Sequence, residues 1–481
     1  MKILNTIYLI VLIPLFTYSQ GRSGYYINGD IDHEVTNLSN RIDEYLSDCA
    51  SNGFSGAILV SKDDKLVFSQ GYGFADKDNK IPNSPDAIVD VSSVTKQFTA
   101  AAILKLSEKD LLQLTNPISM YFKDLPADKQ DITIHHLLTH SSGFTFGIGD
   151  GDFDHIPMET YFQNLFDTDL LHTPGSKYEY SNAGYSVLGR IIELVSGKNY
   201  ENFLAEDLFE AAGMKDTGYL LPNWDMGRVA KEYYLNVINK GSQIEKYKED
   251  GKIAWPLKAN GGINSTLEDM HKWYLALSQN KVLTASSIDQ LTSSYIKEYE
   301  DGDSYYGYGW AIFPSERGSK VVTHNGYNGK SYFEVIWIPE EDLFITMYTN
   351  AFINSSFEII WEVEKIIRDK SYMAKPIQKD VRSEVLQFIE SNFEANEAFN
   401  HDLEAKFRAR VNNVYSLDRL AHNYKREKAF DKALSLAKSN ANLYPNEWSV
   451  WNTLSDIYAK MNQMEKSIQF YVKSLEFWPE E

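Results

Sequence analysis

Strand-like runs stand far apart in this chain, with helix-like sequence between them. "SGAILVSKDDKLVFSQGYGFAD" from Ser55 gives two short apolar segments broken at Asp63-Asp64, which predicts a β-hairpin. Four more such runs, "GWAIFP", "KVVTHNG", "YFEVIWIP" and "LFITMYTN", arrive only after residue 308. Up to about residue 275 the sequence between them is largely helical, with loops rich in Gly, Asp and Pro. One sheet can gather strands so distant only if it is built from both ends of a domain, with the helical middle as an insertion. The expected fold class is therefore α+β: an antiparallel sheet flanked by helices, with a helical subdomain. Val35 to Leu46 and Phe357 to Ile367 predict helices that open and close it.

A length of 481 residues points to two or three domains. The first 21 residues, "MKILNTIYLIVLIPLFTYSQG", carry Lys2, an apolar run from Ile7 to Phe16, and small or polar residues after it. That is the build of a secretory signal peptide, assigned to 1–19, and the run is short for a spanning helix. The mature chain is expected to be exported, periplasmic or secreted, with no stable membrane span. A single cysteine, Cys49, allows no internal disulfide and no thiolate metal cluster. The formal net charge of −20 argues against nucleic acid as a partner, because phosphate binding needs clustered Lys and Arg.

Beyond residue 412 the sequence changes character. Pro445 and Pro479 are 34 residues apart, and the same offset aligns Leu420 with Leu454, Tyr424 with Tyr458 and Ala433 with Ser467. This resembles the tetratricopeptide repeat, whose pattern the second copy follows through Trp451, Leu454, Tyr458, Ser467, Tyr471, Ser474 and Pro479. The division expected is a catalytic domain over 30–372, a helical linker or cap over 380–412, and two repeats over 413–481. Stacked repeats need neighbours to bury their faces, so the amphipathic segment Val381 to Val411 is expected to pack on them. The tail would pack on the catalytic domain, or bind a protein or peptide partner or a second copy.

The chemistry concentrates in "DVSSVTKQFTAAAIL", where Ser93 and Lys96 fall on one face of a helix. A neutral lysine amine can take the proton of a serine hydroxyl and make it nucleophilic. Holding that amine neutral at pH 7 costs roughly 4–5 kcal/mol, so the site must desolvate it or place positive charge nearby. Two further segments join the pair. Tyr180-Ser181-Asn182, taken to lie on a loop, offers a phenol for proton transfer beside an orienting amide. His324-Asn325-Gly326 falls on a predicted strand, where the glycine would let backbone approach a substrate closely.

Taken in order, S-x-x-K, Y-x-N and H-x-G resemble the serine β-lactamase and penicillin-binding superfamily, in its class C-like branch. "ITIHHLLTHSSGF", "GGINSTLEDMHKW" and "YGYGW" fit the same resemblance, which spans about residues 35 to 370. It implies a β-lactamase-like fold and an acyl-enzyme on Ser93. It gives Lys96 and Tyr180 the base and acid roles and Asn182 the orienting of Lys96 or of the substrate amide. It makes the backbone N–H groups of Ser93 and Tyr327 an oxyanion hole, with His324 and Gly326 lining the substrate. No cofactor and no metal are implied. Relatives of this type usually carry Lys-Thr-Gly at the third motif, whose lysine stays positive near a substrate carboxylate. His324 is mostly neutral at pH 7, which weakens the case for a substrate carboxylate at that spot. By the resemblance, members with H-x-G look more like esterases and D-aminopeptidases, which implies a hydrolase acting on a small-molecule or peptide ester or amide. A penicillin-binding protein, DD-peptidase or weak β-lactamase is the enzymatic alternative. A non-catalytic ligand binder with the repeats as adaptor is the other.

Several motif-like stretches carry no function on inspection. "GYNGKS" lacks the first glycine of a phosphate loop, since His324 stands there. "DGDFDH" puts His155 and Tyr161 at two positions that a calcium loop reserves for glycine and glutamate. His135, His136 and His140 in "HHLLTH" are assigned structural roles.

Overall fold

The computed structural model describes residues 33–63 and 65–479, so the signal segment assigned to 1–19 lies outside the described residues. Eight strands form one antiparallel sheet: β1 (Gly56–Lys62), β2 (Lys65–Tyr72), β3 (Ile296–Lys297), β4 (Tyr305–Tyr306), β5 (Ala311–Pro314), β6 (Lys320–Tyr327), β7 (Tyr332–Ile338) and β8 (Leu343–Thr349). Their spatial order is β2-β1-β8-β7-β6-β5-β4-β3. The first hairpin does meet the last strand, with Gly56 opposite Thr349 and Lys62 opposite Leu343. The two-residue strands β3 and β4 are too short to leave an alternating signature, and the sequence did not announce them.

Helices cover both faces of this sheet. They are α1 (His33–Ser51), α2 (Thr95–Glu108), α3 (Asn182–Ser196), α4 (Leu267–Ser278) and α5 (Glu358–Arg368). Leu59, Val322, Val335 and Tyr348 face a core shared with α2 and α3. Ile58, Val321, Ile336 and Ile345 face the opposite way, onto Ile42 of α1 and Val363 of α5. Every residue of β7 and β8 is buried, so these strands read as largely apolar runs, interrupted by Glu334 in β7 and by Thr346 in β8, and not as alternating ones.

The tail adds α6 (Val381–Asn392), α7 (Glu397–Phe407), α8 (Tyr415–Arg426), α9 (Phe430–Leu443), α10 (Trp448–Lys460) and α11 (Met464–Leu475). These are three successive helix pairs, the first of them in the segment expected to act as a cap. Leu386, Leu403, Leu420, Leu436 and Leu454 lie in the same core as Ile336 and Val363, so the tail is docked on the sheet's far side. A Lys240–Glu427 ion pair joins it to the rest of the chain.

Candidate active site

Ser93 occupies a short 3-10 turn, Ser92–Val94, that leads directly into α2. This helix is buried nearly all round, because Ala100, Ala101 and Ala102 allow close neighbours and Phe98, Ile103 and Leu104 fill the space between them. Lys96 is carried one turn beyond Ser93 and is 0% exposed. Its Nζ lies 3.2 Å from Ser93 Oγ, 2.8 Å from Asn182 Oδ1 and 2.7 Å from the Asn260 carbonyl.

This geometry fits a neutral amine. The oxygens of Asn182 and Asn260 accept its two hydrogens, which leaves the lone pair for the Ser93 hydroxyl. Burial holds Lys96 well below the ordinary lysine value, and the pull of Asp152 opposes this only in part. Asn182 is the first residue of α3 and not a loop residue as expected. The Ser181 side chain caps that helix by accepting Gly184 N–H at 3.0 Å, which brings the helix start up to Lys96.

Tyr180 lies with its ring 4.7 Å from Lys96 Nζ. Burial raises its phenol above the usual tyrosine value, while a hydrogen bond with Ser93 works the other way. The ring is held by His140 at 4.2 Å and by Phe146 at 6.1 Å between centroids. His140 Nδ1 accepts the Ser181 N–H at 3.1 Å, and the same ring packs on Tyr185 and Tyr306. This histidine, assigned only a structural role above, is thus the support on which Tyr180 rests.

Strand β6 closes the other side. His324 Nδ1 donates to the Asn325 carbonyl at 2.7 Å, so Nε2 is left to accept the Tyr306 hydroxyl at 2.9 Å. Burial pushes His324 down to about 3, so it is neutral across the physiological range. Both ring nitrogens are occupied, and neither offers a charge to a carboxylate. Gly326 meets the turn that carries Ser93: a Cβ there would lie 2.3 Å from the Val91 carbonyl, 2.7 Å from Ser92 Cβ and 2.9 Å from Ser93 N. Only glycine allows this approach of β6 to the turn that carries Ser93. The Tyr327 side chain itself is exposed, with its ring tilted against that of Phe352 at 4.7 Å between centroids.

Ser93, Lys96, Tyr180, Asn182, His324 and Gly326 thus form one cluster at the junction of α2, α3 and β6. The contributions of Asn260 and Tyr306 were not foreseen: the first acts through a backbone carbonyl, and the second stands in the noted "YGYGW" without a spacing that marks its partner. Among the described residues no group of three or more His, Cys, Asp or Glu side chains could hold a metal ion. Nor is any described helix long and apolar enough to cross a membrane.

A family model described as Beta-lactamase matches residues 39–366. PbpX of Bacillus subtilis (strain 168) is 32% identical over 286 residues, which is 58% of this chain and 67% of that one. Other curated relatives are covered to 60–63% of their length. Among solved structures, the octameric penicillin-binding protein homologue from Pyrococcus abyssi matches with a TM-score of 0.60 and 25% identity, over 73% of this chain and 81% of that one. D-amino acid amidase from Ochrobactrum anthropi SV3, solved with D-phenylalanine, matches with a TM-score of 0.58 and 23% identity, over 69% and 99%.

Proposed function

This chain belongs to the β-lactamase family of serine hydrolases, and from that premise we propose that it cleaves an ester or amide through an acyl-enzyme on Ser93. The observation that carries this is the Lys96 amine, with both hydrogens given to neutral oxygens and its lone pair toward Ser93 Oγ. In the first half-reaction Lys96 takes the hydroxyl proton as Ser93 Oγ attacks the substrate carbonyl. The oxyanion that forms is held by the N–H groups of Ser93 and Tyr327. Tyr180, kept protonated by burial, delivers a proton to the leaving alcohol or amine, and Asn182 holds Lys96 in place. A water then attacks the ester, the same groups work in reverse, and Ser93 regains its proton.

The substrate class follows from His324. A neutral imidazole, committed to Tyr306 and to Asn325, gives no fixed positive charge for a substrate carboxylate. An esterase or D-aminopeptidase-like activity is therefore favoured over action on penicillins. The names of the relatives, which include penicillin-binding proteins, favour the alternative of a DD-peptidase or weak β-lactamase. A substrate panel separates the two. Turnover of p-nitrophenyl esters or D-amino-acid anilides at rates well above that of a chromogenic cephalosporin is the expected result, and the reverse order of rates overturns the preference.

The finer assignments are part of the same proposal. The branch is class C-like, on the order of its three motifs. The chain is exported, on the character of residues 1–19. The two hairpins α8–α9 and α10–α11 are tetratricopeptide repeats, on the 34-residue offset between them, and offer a surface for a peptide or protein.

A further inference from the structure

Two buried carboxyl groups, Asp90 and Glu232, share one amide beside the nucleophile turn. Asn328 Nδ2 donates to Asp90 Oδ2 at 2.8 Å and to Glu232 Oε1 at 2.5 Å. Asp90 in turn accepts the Ser92 N–H at 2.7 Å and the Ser92 hydroxyl at 2.8 Å. Ser92 has φ +46°, a left-handed conformation that a non-glycine residue keeps only when its surroundings enforce it. It immediately precedes Ser93. On the other side, Asn328 Oδ1 accepts the N–H groups of Lys330 at 3.1 Å and Ser331 at 2.9 Å, which fixes the turn after Tyr327. Glu232 also holds the Ser331 hydroxyl at 3.1 Å and Lys330 Nζ at 3.3 Å.

The two donors assigned to the oxyanion hole sit on different elements, Ser93 on the turn before α2 and Tyr327 at the end of β6. Their separation is set only as well as those elements are tied together. We infer that Asn328, clamped between Asp90 and Glu232, is a positioning residue that ties the end of β6 to the strained turn at Ser92 and so fixes the spacing of the two oxyanion donors. This rests on the hydrolase reading above. Asp90 and Glu232 are 7% and 6% exposed, and burying two neighbouring carboxylates is unfavourable unless the arrangement serves something else.

The clamp is sensitive to protons. Burial, and then the Glu232 charge, push Asp90 up to about 6. The other titratable groups around the pair are Lys330 and Lys246 near Glu232, and the buried phenols of Tyr219 and Tyr247 near Asp90, both raised above the usual tyrosine value. Below about 6, Asp90 takes a proton and one of its acceptor positions is lost. Removing the Glu232 charge lets Asp90 stay ionised to lower pH.

The test compares wild type, Ser93→Ala, Asn328→Ala and Glu232→Gln in p-nitrophenyl ester hydrolysis as a function of pH, with amide hydrogen exchange on the resting proteins. Asn328→Ala is expected to lower kcat by about 10–100-fold with KM changed by less than about 3-fold, part of the loss from removing an oxyanion donor outright. Exchange over 90–94 and 326–331 should quicken while that of α2 does not. Glu232→Gln should move the acid limb of kcat to lower pH. An unchanged kcat in Asn328→Ala, with Ser93-dependent turnover in wild type, overturns the clamp alone. So does an acid limb that Glu232→Gln leaves in place. Absence of Ser93-dependent turnover in wild type overturns the hydrolase reading and the catalytic role of the clamp with it.

Discussion

Replacing Lys96 by methionine is expected to lower kcat/KM by about 10²–10⁴-fold, the range that a positioned general base contributes. Methionine keeps much of the length of the side chain at this buried position but removes the amine lone pair beside Ser93 Oγ. Lys96→Arg should be no better, because a guanidinium stays protonated. Stability gives an independent check. Folded Lys96 is neutral at a pH where unfolded Lys96 is charged, so the unfolded chain binds one more proton. Wild-type stability therefore gains a component that grows as pH rises toward the ordinary lysine value. Denaturant titrations at several pH values should show that Lys96→Met lacks this component, and identical slopes would mean that the folded amine is charged.

Gly326→Ala is expected to cost about 10²–10³-fold in kcat, comparable to removal of one oxyanion donor. The added Cβ meets the Val91 carbonyl at 2.3 Å and Ser93 N at 2.9 Å, and both are backbone atoms that cannot rotate aside. The end of β6 must move away from the nucleophile turn, and Tyr327 N–H moves with it. Circular dichroism should stay native, since the rest of β6 is paired along its length with β7. A variant with native kcat would show that β6 does not approach the substrate.

The residue-type patterns pointed to side chains that the fold brings together. Ser93, Lys96, Tyr180, Asn182 and His324 are each recognisable because side-chain chemistry at a fixed spacing is written in the sequence. So was the closure of β1 on β8, because apolar runs that distant have few ways to share a core. The supports were less legible. Asn260 contributes a carbonyl that every residue possesses, so no residue type marks it. His140 looked like one histidine among three, and neither its left-handed backbone at φ +55° nor its packing on Tyr180 is marked by a residue pattern. Asp90, Glu232 and Asn328 follow no spacing rule, since three separate segments bring them together. The docking of the tail was left open for a similar reason: amphipathic helices declare that a face is buried but not what buries it.

The central claim is that Ser93 is a nucleophile activated by Lys96. The most direct measurement is intact-protein and peptide mass spectrometry after exposure to a fluorophosphonate, with Ser93→Ala and Lys96→Met alongside. A single adduct on Ser93, absent from Ser93→Ala and strongly slowed in Lys96→Met, is the expected result. An adduct that persists in Ser93→Ala, or a wild-type Ser93 that takes no label, would contradict it.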